Sequence, residues 1–201
     1  MAKIALDCDG VLANFIKAFV EEANTLFPGR FLNPGEYAAN EHKTWDFPPD
    51  LLSKAETNKV WEKIKRTTDW WLKLDAFSDN VGALAVFFYT HKHDDIYIVT
   101  SRVETEGHSV AWQTERWLMA CGVSPMHNYL GVIMCPNSDH KVELYDYMGI
   151  EASIDDRAET VEICDHLPNH RAYLLDRPWN VTANVKHRVP TVAQYLKEVA
   201  P

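Results

Sequence analysis

The chain of 201 residues is long enough for one sizeable hydrophobic core with room for an inserted subdomain. Its 46% hydrophobic and 24% charged content is ordinary for a soluble globular protein, and no apolar run reaches the length of a membrane span. A net charge of −9 without a dense Lys/Arg cluster excludes a surface that binds nucleic-acid polymers by counterion release, but not a small anionic substrate offset by a metal or local cations.

The N-terminus runs directly into a strand-like segment, without the apolar stretch and small-residue cleavage site of a signal peptide, so the cytoplasm is the expected location. Residues 3–6 form the first expected strand, which ends in Asp7-Cys8-Asp9-Gly10. A helix is predicted over 14–26, then a Pro/Gly-marked loop over 28–35, then helices over 51–66 and 79–89. His91-Lys92-His93-Asp94-Asp95 reads as a solvated turn rather than a set of metal ligands. The next strand, 96–99, runs into Thr100-Ser101-Arg102 and is followed by a helix over 109–121 closed by Gly122. A strand at 131–135 precedes a helix over 141–148, opened by Lys141 and closed by Gly149. Strand 152–154 leads into Asp155-Asp156-Arg157, a helix follows over 158–165, and strand 171–175 ends at Asp176-Arg177-Pro178. The last helix is predicted over 191–199.

Repeated strand-then-helix units predict an α/β fold with a parallel sheet flanked by helices. The interval between the first two strands is far longer than a single crossover needs, so it reads as a helical insertion. The four cysteines, Cys8, Cys121, Cys135 and Cys164, are scattered and form no CxxC, which reads as reduced thiols rather than a disulfide framework or zinc site.

In open α/β sheets, ligands bind beyond the carboxyl ends of the strands, and here four such ends carry polar residues. Asp7, Asp9, Asp155, Thr100 and Lys141 would make one hard, oxygen-rich edge suited to Mg²⁺ and phosphate. A carboxylate at a strand tip can attack phosphorus, and a second one two residues on can face the leaving oxygen. Two nearby acids push their pKa values apart, which suits Asp7 as nucleophile and Asp9 as general acid and then base. A calcium-loop reading fails, because counting from Asp7 puts Leu12 at the glycine position and Ala18 at the bidentate glutamate position.

These residues carry a resemblance. Asp7-Cys8-Asp9-Gly10-Val11-Leu12-Ala13 resembles the first motif of the haloacid dehalogenase (HAD) superfamily of phosphotransferases. Ile98-Val99-Thr100-Ser101 resembles its second motif, Lys141 stands where the third motif's lysine is expected, and Ile154-Asp155-Asp156-Arg157 resembles the fourth. Within that superfamily, DGVLANF, VTSR, IDDR and LLDRPWN together are most similar to the 5′(3′)-deoxyribonucleotidase family. The resemblance implies a Rossmann-like core, 1–14 and 91–201, with a small helical cap inserted at 15–90. It implies Mg²⁺-dependent hydrolysis of nucleoside monophosphates through an aspartyl-phosphate. Asp7 would be nucleophile and Asp9 acid/base, while Asp7, the Asp9 backbone carbonyl and Asp155 would hold Mg²⁺. Thr100, Ser101 and Lys141 would bind phosphoryl oxygens, with Asp156 behind the metal. Phe15 and the insertion's Trp45, Phe47, Trp70 and Trp71 would enclose the base. Arg102 and Arg177 are further candidates for contact with phosphate or sugar. The alternatives are a phosphatase for another small monoester, such as a sugar phosphate, and a catalytically silent binding protein of the same fold. The oligomeric state stays open, a homodimer included.

Overall fold

The structure, a computed structural model, describes residues 2–30, 52–90, 95–125, 127 and 129–199, the side chains of 88–90 excepted. Trp45, Phe47 and the turn at 91–94 lie outside the described residues. Six parallel strands make one sheet: β1 Lys3–Leu6, β2 Asp95–Thr100, β3 Gly131–Met134, β4 Ala152–Asp155, β5 Arg171–Leu175 and β6 Arg188–Val189, in the order β3-β2-β1-β4-β5-β6. The two-residue β6 is absent from the sequence reading because a strand that short carries no alternation to detect.

Seven helices are described: α1 Phe15–Leu26, α2 Lys54–Lys65, α3 Ser78–Thr90, α4 Val110–Ala120, α5 Ser138–Met148, α6 Ala158–Cys164 and α7 Val192–Val199. Each expected helix appears, with ends shifted by a few residues. At α5, Asn137 accepts a hydrogen bond from the His140 N–H and so starts the helix about one turn early. Lys141 therefore sits in the first turn of α5 rather than at its first position.

Successive strand residues serve opposite faces. Ile4 and Leu6 of β1 join a cluster with Leu84 of α3, Trp117 and Leu118 of α4, and Tyr195 and Leu196 of α7. Ala5 belongs to the other cluster, with Tyr145 of α5 and with Val161 and Cys164 of α6. Both faces are buried, which is why these strands read as continuous apolar runs.

Of the segment between β1 and β2, α1 packs against α2, while α3 packs against α7. A 3₁₀ turn, Trp70–Lys73, joins these parts, and its buried Trp70 and Trp71 belong to the same cluster as Leu6 and Ile98. This turn is stitched to the loop after β2. The Asp69 N–H donates to the Glu106 carbonyl at 2.8 Å, and the Glu106 N–H donates to the Lys65 carbonyl at 2.8 Å.

Register aligns the strand tips. Leu6 pairs with Ile98 on one side and Ile154 on the other, so Asp7 and Asp155 emerge together with Thr100 close by. The chain turns just past Asp9 at Gly10, which has a φ of +79°. A Cβ placed there would lie 2.0 Å from Asp156 Oδ2, so backbone conformation and space both demand glycine. Gly10→Ala should cost about 2–4 kcal/mol and lower the melting temperature by roughly 5–15 °C in a circular-dichroism melt. An unchanged melt would show that this turn can relax away from Asp156.

Candidate active site

The floor of the site is a buried ion cluster. The Lys141 ammonium donates to Asp7 Oδ1 and to Asp155 Oδ2, both at 2.7 Å. The Arg157 N–H donates to the other Asp155 oxygen at 2.9 Å. Burial opposes the charge on Lys141, but Asp155 and Asp7 outweigh it and hold the ammonium well above its ordinary range. Burial raises the Asp7 carboxyl from its ordinary 3.8 to about 7; Lys141 pulls it back, and Asp155 and Asp9 push it up.

Asp156 is fully buried behind this pair. It accepts the Trp179 Nε1–H at 3.0 Å on one oxygen, while its other oxygen is buried without a hydrogen-bond partner. Burial, reinforced by Asp155 and Asp7, pushes its carboxyl well above the usual range. Asp7, Asp155 and Asp156 each bring an oxygen within 4.8 Å of the others. Hard oxygen donors, an unpartnered carboxyl oxygen and one ammonium against three acids fit a dication such as Mg²⁺.

Asp9 is held from the other side. Arg102 grips both of its oxygens, Nε to Oδ2 at 2.9 Å and Nη2 to Oδ1 at 2.7 Å. The Arg102 side chain is fully buried, and it is not part of the cavity wall. Arg177 likewise turns away from the cavity: its Nε donates to the Gly10 carbonyl at 2.6 Å and its guanidinium lies 4.2 Å over the Phe77 ring. It braces the turn after Asp9. Thr100 is buried, and its hydroxyl has no hydrogen-bond partner among the described residues.

Asp7, Asp9, Thr100, Ser101 and Lys141 all line one cavity of about 620 Å³. Phe15 and Trp71 form part of its wall, whereas Trp70 does not; its Nε1–H donates to Glu22 at 3.1 Å instead. Sequence reasoning missed Trp61, Lys54 and Thr57 of α2 and Ser138 at the start of α5, which line the cavity together with Leu52, Val103 and Arg157. Trp61 stacks on Phe15 with ring centroids 5.6 Å apart and planes 19° apart. Its helix was legible, but the face it turns toward Phe15 depends on how α2 packs on α1.

No family model matches the chain, and no curated protein matches it. Solved structures do. A HAD-superfamily hydrolase, subfamily IA, of Geobacter sulfurreducens aligns with a TM-score of 0.58 at 13% identity, covering 98% of this chain and 99% of that one. A 2-haloacid dehalogenase of Pseudomonas syringae aligns at 0.52 and 10% identity, covering 99% and 97%. A HAD phosphatase of Thermococcus onnurineus aligns at 0.51 and 15% identity, covering 100% and 98%. The chain therefore has the HAD-like Rossmann-type α/β fold. Because these neighbours include a dehalogenase and a phosphatase, the chemistry has to be argued from the site.

An acid whose pKa is raised on folding contributes stability below its unfolded pKa and loses it as pH rises through the folded value. For Asp7 that window runs from 3.8 to about 7. Asp7→Asn should therefore melt higher than the native chain at pH 8, with the difference shrinking toward pH 4. Added Mg²⁺ should raise the native melting temperature at pH 8 and raise that of Asp7→Asn less. Equal shifts in both proteins would place the cation elsewhere.

Proposed function

We propose that the chain is a Mg²⁺-dependent phosphomonoester hydrolase of the HAD type that removes phosphate from (deoxy)ribonucleoside monophosphates, acting in the cytoplasm. One observation carries this reading. The Asp7 carboxylate, paired to a buried ammonium, shares an aromatic-walled cavity with Asp9 and an unpartnered Thr100 hydroxyl.

Asp7 attacks phosphorus through a carboxylate oxygen, and the bond from phosphorus to the ester oxygen breaks. The leaving oxygen takes the proton carried by Asp9. Asp9, now a carboxylate, takes a proton from water as that water's oxygen attacks phosphorus. The bond to Asp7 then breaks, which releases inorganic phosphate and restores both aspartates. Lys141 and the Thr100 hydroxyl donate to the phosphoryl oxygens, where charge accumulates. Ser101, which follows Thr100 just past the strand and lines the same cavity, shares this task. Mg²⁺ held by Asp7 and Asp155, with the Asp9 backbone or Asp156 alongside, would supply Lewis-acid stabilisation of the transferring group.

The cavity, at about 620 Å³, is far larger than a phosphate group requires and lies within the range of small-molecule sites. Phe15, Trp61 and Trp71 give it flat apolar faces. An aromatic wall favours a nucleobase over a bare sugar phosphate, since stacking contributes roughly 1–3 kcal/mol per base.

Phosphate release from a panel of nucleoside and deoxynucleoside monophosphates should exceed release from sugar phosphates. Equal rates across the panel would remove the nucleotide assignment and leave the phosphatase assignment standing. Trp61→Ala should raise KM for nucleotides about tenfold, within the range set by one lost stacking contact, and leave KM for sugar phosphates unchanged. Asp7→Asn should abolish turnover on every substrate, and retained turnover in a folded Asp7→Asn protein would overturn the mechanism.

A further inference from the structure

The mechanism gives no task to Arg102, a buried cation beside the site. Arg102 uses Nε and Nη2 on the two Asp9 oxygens, at 2.9 and 2.7 Å. Its Nη1 donates to the Thr114 hydroxyl of α4 at 2.9 Å, and Nη2 also reaches Cys8 Sγ at 3.2 Å. The guanidinium lies 4.6 Å from the centroid of the Trp71 ring. Trp71 is itself pinned: its N–H donates to Gln113 Oε1 at 3.1 Å and its Nε1–H to the Val103 carbonyl at 3.0 Å. Arg102 is thus anchored from the core helix α4, from the strand tip and from the 3₁₀ turn of the insertion.

We infer that Arg102 is the positioning residue for the Asp9 proton carrier and ties its orientation to the aromatic wall at Trp71. A bidentate guanidinium fork fixes the plane of the carboxyl it grips, which a single-point contact cannot do. With that plane set, the remaining lone-pair directions of Asp9 are set as well, and Asp9 lines the cavity. When Asp9 gives its proton to the leaving oxygen, negative charge forms beside a guanidinium already in place. Trp71 lines the cavity and its ring also carries the Arg102 guanidinium, so the aromatic wall and the fork on Asp9 share one support. This assignment rests on the proposed phosphomonoesterase mechanism.

The test is kcat/KM across a series of aryl phosphates of rising leaving-group pKa, which reports the step up to the break of the ester bond. A positioned acid flattens that dependence, because proton donation matters most for the poorest leaving groups. Arg102→Lys keeps the charge but loses the fork. It should lower kcat/KM for the poorest leaving groups by about 10–100-fold while changing that for the best by less than about threefold. Arg102→Met should show a steeper dependence still. In an Asp9→Asn background, Arg102→Lys should add no further steepening, because the group it orients is gone. Thr114→Val removes the Nη1 anchor together with the hydroxyl's bond to the Val110 carbonyl, tests the same idea if the Arg102 variants do not fold, and should steepen the series in the same direction by a smaller factor.

A merely structural role predicts lower melting temperatures with slopes parallel to the native series, and parallel slopes in folded Arg102→Lys or Thr114→Val would overturn the assignment. So would equal steepening with and without Asp9. A native protein inactive on every phosphomonoester overturns the proposed function and this assignment with it. An active native protein with parallel slopes overturns the assignment alone.

Discussion

One buried ammonium governs the candidate site. Lys141 is the shared partner of Asp7 and Asp155, and burial makes each of these three charges costly unless the others are present. Sheet register sets Asp7 and Asp155 side by side, so two carboxylates would meet in a poorly hydrated space without it. The early start of α5 delivers the ammonium to the gap between them. Asp156 is accommodated differently: burial pushes its carboxyl well above the usual range, and it takes its hydrogen bond from Trp179 and lies directly under Gly10. The charge balance at the strand tips is therefore distributed over β1, β4, α5 and the segment after β5. This distribution explains why the turn at Gly10 tolerates no side chain and why Arg177 braces it from behind.

The described part of the segment between β1 and β2 is part of the same body of packing. Phe15, Trp70 and Trp71 are buried in one cluster with the strand residues, and the 65–69 backbone is hydrogen-bonded to the loop after β2. Selectivity and chemistry therefore share supports. Trp71 belongs to the cavity wall and to the stack over Arg102, and Phe15 directly follows Asn14, the cap of α1, on the segment leading from the first motif. Through Trp71 and Arg102 the cavity wall reaches Asp9 by direct contact.

Much of this was legible in the sequence, for local reasons. Asp7, Asp9, Thr100 and Asp155 stand at the ends of short apolar runs, and a parallel sheet brings such ends to one edge. Gly149 ends α5 in the left-handed conformation, as its place after the helical pattern predicts. What escaped depends on pairing between distant segments. Arg102 and Asp9 are 93 positions apart, and nothing in VTSR shows that its arginine turns back to the first motif. Trp61 lies one residue from the buried Val60, so only the packing of α2 on α1 reveals that it stacks on Phe15. Trp70 and Trp71 are adjacent, yet one joins the cavity wall and the other meets Glu22, because the tight 3₁₀ turn points neighbouring side chains in different directions.

Cys8 has a chemical consequence of its own. It stands between the two aspartates and is wholly buried in the core, and burial raises its thiol far above the ordinary range. A thiolate is an intrinsically stronger nucleophile than a carboxylate, so an ionised sulfur at that depth would compete for electrophiles entering the cavity. The thiol instead remains protonated and is absent from the cavity wall, with Arg102 against its sulfur. The alternation of a three-residue segment thus acts as a filter on reactivity: oxygen is presented to the substrate twice, and sulfur is kept out of reach between them.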